Sequence, residues 1–420
     1  MKDIKQDTRL VHADRILNKP EDGAVHQSTN NSVLFAFDDV ADLESVFQGK
    51  SAGHVYSRSS SSSAVALQNM LASLDGGIAA TCFATGMSAI SAAMFSLLKA
   101  GDHLIVSNFL FGNTRSFFDN LQNFGLQVDY VDTTDAKNIA EKVRNNTKIV
   151  FCETIANPGT QIADLRGIGT ICSDNNILFI VDNTMTPSVM FDAKSVGVNL
   201  LTTSLTKYVA GHGNVLGGAV IDLGNFDWST YANIDEFYKS APVALWGTTQ
   251  IRKKGLRDIG ATLAPQSAHL ASIGLETLSM RMQKTCENAL ILAKYLESHD
   301  AINKVNYPGL SSHPQHKKVS ELFNIEANNG QQVLFGGILS IELAINYDVR
   351  RVLNALNLVL SATHLGDTRT LALPVATTIF YENGLEKRHQ MGISENLIRL
   401  SVGLEHPQDL INDFKQALSQ

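Results

Sequence analysis

Residues 177–222 read ILFIVDNTMTPSVMFDAKSVGVNLLTTSLTKYVAGHGNVLGGAVID, and their pattern points to the fold class. Three short apolar runs, Ile177–Asp182, Leu200–Ser204 and Gly217–Asp222, read as strands. The first closes on the polar cluster Val181-Asp182-Asn183-Thr184. The second closes on Thr203-Ser204-Leu205-Thr206-Lys207-Tyr208, followed by the glycine-rich Gly211-His212-Gly213-Asn214 and Gly217-Gly218. Upstream, His103–Ser107, Gln127–Asp132 and Thr147–Thr154 repeat the apolar pattern, with helical stretches such as Asn138–Asn145 and Leu165–Asn175 between several of the strands. That alternation predicts an α/β domain built on a mostly parallel sheet.

Further out, Ala64–Leu74 reads as a helix capped by Ser63 and ended by Gly76-Gly77. Thr85-Gly86 precedes a second helical run, Met87–Leu98, which stops before Gly101. Residues 1–60 show no sustained period and read as an extended arm, with the run Ser59–Ser63 taken as part of a loop. After Leu245-Trp246-Gly247 the texture changes. Ala268–His299 is largely helical, Gly336–Leu343 and Leu397–Val402 read as strands, and Val349–Val359 as a helix. A chain of 420 residues is too long for one core. The expected division is an arm over 1–60, a large domain over 61–257 and a smaller α/β domain over 258–420.

Composition narrows the partners. With 44% hydrophobic and 18% charged residues the chain has the make-up of a soluble globular protein. A formal net charge of -7 and the lack of any Lys/Arg block argue against nucleic acid as the main partner. The polar stretch Met1–Asn18 lacks the apolar run of a signal peptide. Met87–Leu98 is interrupted by Ser88, Ser91 and Ser96 and falls short of the ~20 residues that span a bilayer. Cys82, Cys152, Cys172 and Cys286 lie far apart and form no CxxC pair, which fits reduced core thiols in a cytoplasm.

In an open α/β sheet, ligands bind beyond the carboxyl ends of the strands. Asp182 and Lys207 both fall there, and Thr85-Gly86-Met87 opens a helix whose first N–H groups can hold an anion. Together these supply what pyridoxal phosphate requires. Lys207 offers an amine for its aldehyde, Asp182 a carboxylate for its pyridine nitrogen, and Ser204, Thr206, Gly86 and Met87 offer donors for its phosphate. Singly, each has a plainer explanation: a lysine after a strand is ordinarily solvated, and an aspartate there ordinarily caps a turn. Their conjunction in one domain is what carries the cofactor reading.

At this point the chain resembles the trans-sulfuration, or Cys/Met-metabolism, family of pyridoxal-phosphate enzymes, over nearly its whole length. Ala84-Thr85-Gly86-Met87-Ser88-Ala89 is similar to the family's phosphate loop. Asp182-Asn183-Thr184 and Ser204-Leu205-Thr206-Lys207-Tyr208 are similar to its pyridine-nitrogen and Schiff-base segments. Tyr56-Ser57-Arg58 resembles an element that reaches the phosphate of the neighbouring subunit's cofactor. Glu153-Thr154-Ile155-Ala156-Asn157-Pro158 resembles the segment whose asparagine, here Asn157, contacts the cofactor's phenolic oxygen. Leu397-Ile398-Arg399-Leu400-Ser401-Val402-Gly403 resembles the strand whose arginine, here Arg399, grips the substrate α-carboxylate. Tyr307-Pro308-Gly309-Leu310 with His313-Pro314-Gln315-His316 resembles a C-terminal family signature. His313 and His316 suit a structural loop better than a metal, with a proline between them and no completing ligand, and His212 also reads as structural.

The resemblance implies an aspartate-aminotransferase-like fold, fold type I, in a homotetramer of dimers that share active sites. It implies elimination or replacement at Cβ or Cγ of a sulfur-pathway L-amino acid. The departures are informative. Ser59–Ser63 replaces a proline-containing stretch, and polyserine would be flexible. Phe111 stands where a tyrosine usually stacks on the cofactor ring, so stacking survives but a phenolic proton donor does not. His364 stands where many members carry serine, and Leu373-Pro374-Val375-Ala376-Thr377 differs from the usual segment. Phe111 favours γ-replacement on an O-acylhomoserine, because a carboxylate leaves without a proton. The alternatives are a C–S lyase (cystathionine β-lyase, cystathionine γ-lyase or methionine γ-lyase) and a cofactor-binding regulatory protein without turnover.

Overall fold

In a computed structural model the chain is described over residues 4–16, 20, 23–327 and 330–419; the remaining residues of the expected arm lie outside the described set. The strands read from apolar runs lie side by side in one sheet, together with one that the sequence did not reveal, the first of them. They are β1 (Ala79–Phe83), β2 (His103–Ser107), β3 (Gln127–Val131), β4 (Thr147–Glu153), β5 (Leu178–Asp182), β6 (Leu200–Thr203) and β7 (Gly218–Asp222). Their spatial order is β1-β7-β6-β5-β4-β2-β3. β7 runs antiparallel to both of its neighbours, while β2 to β6 pair in parallel.

Alternate residues of the central strands enter two different cores. Val150 and Cys152 of β4 and Phe179 and Val181 of β5 join one; Ile149, Phe151, Leu178 and Ile180 join the other. A sheet buried on both faces needs apolar residues at every position, which is why these strands read as unbroken runs. The helices before the second sheet are α1 (Gln6–Ile16), α2 (Val40–Phe47), α3 (Ser62–Leu74), α4 (Gly86–Leu97), α5 (Gly112–Leu121), α6 (Lys137–Ala140), α7 (Leu165–Asp174), α8 (Trp246–Gln250), α9 (Pro265–Glu276) and α10 (Leu278–Glu297); α2 buries none of its residues. α8 runs on into a π-helical stretch, Ile251–Asp258. None of the described helices is long and apolar enough to cross a membrane.

A second sheet follows, with strands β8 (Ile302–Asn306), β11 (Ile338–Leu343), β12 (Leu360–Ser361), β13 (Leu371–Pro374) and β14 (Leu397–Ser401) in the order β12-β13-β14-β11-β8; β9 (Asn324–Ala327) and β10 (Gly330–Val333) pair separately. Leu339, Ile341, Ile398 and Leu400 of this sheet pack with Leu292 and Leu296 of α10 in a core of their own. Ala268, Ala271 and Leu275 of α9 belong instead to a core of the large sheet.

Four local readings change. Residues 1–60 are not wholly extended: α1 buries Leu10 and Ala13 against α3 and α9, a two-residue stripe too sparse to register as a period. The cap of α3 is Ser61, whose side chain accepts the Ala64 N–H at 3.3 Å, not Ser63, which is buried and accepts the Asn30 N–H at 2.9 Å. The serine run is therefore a helix start rather than a flexible loop. β1, Ala79-Ala80-Thr81-Cys82-Phe83, was hidden by small residues and a single β-branched one; it forms because β7 pairs with it along its whole length. The helix expected over Asn138–Asn145 contracts to α6, because only Ile139 buries and the Arg144 N–H is taken by Thr147 Oγ1 at 2.7 Å.

Candidate active site

β4 and β5 end at Glu153 and Asp182, and these two, with Ser204 just past β6, line a 340 Å³ cavity. The ladder sets Glu153 opposite Asp182, and Asp182 opposite Thr202. Lys207 follows β6 by one turn, its N–H donating to the Ser204 carbonyl at 3.2 Å. One wall is the start of α4. Thr85 and Ser88 cap it reciprocally, each side chain accepting the other's N–H at 3.0 Å. Helix geometry leaves the N–H groups of Gly86 and Met87 without intrahelical acceptors, and both residues line the cavity. Gly218 of β7 permits this closeness, since a Cβ there would run into the Thr85 carbonyl.

The electrostatics are set by shielding from water. The Lys207 amine is brought down to about 8, by burial first and by the Arg399 charge second. Its Nζ lies 3.4 Å from Nδ1 of His364, whose own pKa is lowered by burial and then by Lys207. Across the cavity, burial raises the pKa of Asp182 although Thr184 donates its N–H to that carboxylate at 2.9 Å. Glu153 is pushed up to about 8, by burial and then by Asp182, while its Oε1 accepts the Phe111 N–H at 2.7 Å. That bond fixes Phe111 at the start of α5, with its half-buried ring on the cavity wall.

Arg399, on β14, is only 2% exposed. Its guanidinium donates to the carbonyls of Thr363 at 3.0 Å and His364 at 2.9 Å, and reaches Asn157 Oδ1 at 3.4 Å. Its Nε is buried without a hydrogen-bond partner, and burial lowers its pKa to about 10. Among the described residues no carboxylate pairs with it. A buried guanidinium lacking its anion is an arrangement that an incoming carboxylate would complete. The loop that holds it is pressed on the lysine segment. Gly366 has φ +74°, and a Cβ there would lie 2.7 Å from the Tyr208 nitrogen; its own N–H donates to Ser401 Oγ at 2.9 Å.

Of the residues singled out in the sequence, Gly86, Met87, Phe111, Asn157, Asp182, Ser204, Thr206, Lys207 and Arg399 all line this one cavity. Thr206 is braced there by Gly217, whose N–H donates to its Oγ1 at 3.1 Å, and Ser204 by its own N–H donating to Thr184 Oγ1 at 2.8 Å. Tyr56 and Arg58 do not line it. Tyr56 is 41% exposed, and the Arg58 guanidinium lies 5.4 Å from its ring and donates to the Arg257 carbonyl. His212 bonds the Ala210 carbonyl, His313 meets Thr160 Oγ1 at 3.3 Å, and His316 meets the Pro308 carbonyl at 2.8 Å, all outside the cavity. Two groups at the site carried no assigned role in the sequence reading. Glu153 ends an apolar strand just as Asp182 does, which was the available signal. His364 is 157 residues from Lys207, and nothing local joins them.

Known proteins resemble this chain over nearly its whole length. A family model described as Cys/Met metabolism PLP-dependent enzyme matches residues 7–419. An L-methionine gamma-lyase of Fusobacterium nucleatum is 33% identical over 417 residues, covering 98% of each chain. An O-acetyl-L-homoserine sulfhydrylase of Corynebacterium glutamicum is 31% identical over 426 residues, covering 97% of this chain and 95% of its own. A crystal structure of a putative O-acetylhomoserine (thiol)-lyase from Campylobacter jejuni superposes with a TM-score of 0.93 at 30% identity, covering 99% of this chain and 100% of its own, and contains N'-pyridoxyl-lysine-5'-monophosphate.

Proposed function

The chain belongs to the Cys/Met metabolism family of pyridoxal-phosphate-dependent enzymes, and from that premise we propose that it replaces the γ substituent of an O-acylhomoserine with a thiol or sulfide. The cavity suits the cofactor. It joins a largely shielded amine at Lys207, an acid at Asp182, and the N–H groups of Gly86 and Met87 with the hydroxyls of Ser204 and Thr206. When bound, pyridoxal phosphate supplies an electron sink for the pair left when a proton leaves the substrate Cα.

The residues' own work follows from their chemistry. Asp182 would hold a bound cofactor's ring nitrogen in its protonated form, the positive charge there favouring the ionised carboxylate. Gly86, Met87, Ser204 and Thr206 would hold the phosphate, and Asn157, beside Arg399, would orient the phenolic oxygen. Arg399 receives the substrate carboxylate and so fixes which bond at Cα is presented for cleavage. Lys207, its amine brought near neutrality, takes the Cα proton and can return one at a neighbouring carbon. His364 accepts a hydrogen bond from Lys207 and steadies the amine between those steps. Tyr56 and Arg58, outside their own cavity, are proposed to meet the phosphate of a neighbouring subunit, which makes the active unit at least a dimer and by family resemblance a tetramer.

The observation that carries the choice of substrate is Phe111. The relatives named above act at Cγ, some on a sulfur and some on an ester. The Phe111 ring offers no proton to a leaving group, and a carboxylate needs none whereas a thiolate benefits from one. A second reading, methionine γ-lyase chemistry, is favoured by His364, whose Nε2 is buried without a partner and could donate. Product analysis of the cofactor-loaded enzyme separates them. O-acetyl- and O-succinylhomoserine with sulfide should give homocysteine at a higher kcat/KM than the release of 2-oxobutyrate from L-methionine or L-cystathionine. Faster breakdown of L-methionine would transfer the assignment to the lyase.

A further inference from the structure

Asp14, His26 and Glu276 are scattered along the sequence but meet where the N-terminal segment lies on α9. α1 is held there by its contacts with α3 and α9, which bury Asp14 to 7% exposure. Nδ1 of His26 lies 3.2 Å from Glu276 Oε1 and 3.9 Å from Asp14 Oδ2, and one ligand atom from each residue lies within 4.8 Å of the others. Zinc bonds to nitrogen and oxygen are ~2.0–2.2 Å, so neighbouring donors of a tetrahedral site stand about 3.3 Å apart. The His26–Glu276 separation already matches this, and Asp14 stands somewhat further out, so closing on an ion needs a modest inward turn of its carboxylate. His269 lines the same small pocket, seven residues before Glu276 and hence on the same face of α9.

Charge points the same way. Among the described residues, the ion pairs of Asp14 and Glu276 are with His26 alone, and neither has a Lys or Arg partner. Two carboxylates held together, one of them buried, are costly to keep charged without a cation, and the only basic side chains beside them among the described residues are the imidazoles of His26 and His269. A dication balances both. Imidazole with two carboxylates suits zinc and its neighbours, whereas calcium and magnesium call for more oxygen ligands than are present.

We propose that Asp14, His26 and Glu276 form a binding site for a divalent transition-metal ion of the zinc type, separate from the catalytic cavity, with a fourth position open to water or to His269. Such an ion fastens the segment that leads towards Tyr56 and Arg58 onto α9. Its spacing in the sequence resembles no metal motif, because the three ligands are brought together only by the docking of α1.

The test uses cofactor-loaded protein treated with a chelator, freed of it, and dialysed against Zn²⁺ alone, with bound metal read by elemental analysis. Co²⁺ in a parallel sample reports ligand geometry through its visible bands. One Zn²⁺ per chain is expected, with a higher thermal midpoint in its presence. His26→Gln, on a side chain 52% exposed, should retain the fold and lose affinity by more than the ~10- to 100-fold that loss of an outer hydrogen-bond partner costs a metal site. Glu276→Gln should do the same, with circular dichroism checking its fold. A wild-type chain that takes up no Zn²⁺, or a His26→Gln chain that takes it up with unchanged affinity, overturns the proposal.

Discussion

Replacing Phe111 with tyrosine adds one hydroxyl at the wall where the leaving group is proposed to depart. The structure leaves room for it. The ring is half-buried and borders a 340 Å³ cavity, and a hydroxyl takes less than the ~30 Å³ of a water molecule. The backbone should not shift, since the Phe111 N–H remains anchored on Glu153 at 2.7 Å. Because the ring is half-buried and borders the cavity, the ~1–3 kcal/mol cost of an orphaned buried hydroxyl should be largely avoided. General acid assistance is worth ~10²–10⁴-fold. A grafted group without matched support should recover only a fraction of that, on the order of tenfold or about 1.4 kcal/mol of barrier. The assay is kcat/KM for L-methionine and L-cystathionine against O-acetylhomoserine, in wild type and variant at equal cofactor content. The sulfur substrates should gain about tenfold relative to the ester. An unchanged ratio in a folded, fully loaded variant would refute Phe111 as the determinant of leaving-group preference.

Three more outcomes follow from the site. Lys207→Ala should lose the visible band of the lysine-bonded cofactor and at least the ~10²–10⁴-fold contributed by a positioned base; spectra and turnover check both. Arg58→Ala should weaken cofactor binding by roughly 10- to 100-fold, since a charge-assisted phosphate contact is worth ~1.5–3 kcal/mol. Mixing it with Lys207→Ala under conditions of subunit exchange should restore activity, and no restoration would argue against a shared site. In cofactor-free protein, Glu153 binds its proton more tightly when folded, so its contribution to stability is full below 4.5 and is lost as pH rises to about 8. At 1.36 kcal/mol per pH unit the loss is bounded at roughly 5 kcal/mol. Glu153→Gln should flatten the fall in thermal midpoint across that window, and an identical pH profile would show that Glu153 is not the group responsible.

What the sequence made legible was local. Asp182 and Lys207 stand out because each follows an apolar strand, and a strand's end is where a parallel sheet exposes polar groups. Gly86 and Met87 stand out because Thr85 announces a helix start. Arg399, Asn157, Tyr56 and Arg58 were legible only by resemblance, since an arginine inside the apolar run Leu397–Val402 has no local signature of function. What escaped was made by packing. β1 exists through its pairing with β7, and α1 through two residues docked on α3 and α9. The contact between Lys207 and His364 joins residues 157 apart, and the raised pKa of Glu153 comes from burial first and from Asp182, its ladder partner on β5, second.

Gly366 has a wider bearing. By letting its loop rest on the backbone of Lys207 and Tyr208, while the carbonyls of Thr363 and His364 clamp Arg399, it ties amine and guanidinium to each other like the two jaws of a locked calliper. The opening of that calliper is set by main chain, which side-chain substitutions elsewhere in the cavity leave alone. On the proposed function, a molecule bearing amine and carboxylate on one carbon should span it, and a β-amino acid, one carbon longer, should bind more weakly. Recognition of the substrate's head is thereby made rigid. The tail would meet exchangeable side chains such as Phe111, and there one scaffold could be retuned from ester to thioether without rebuilding its grip.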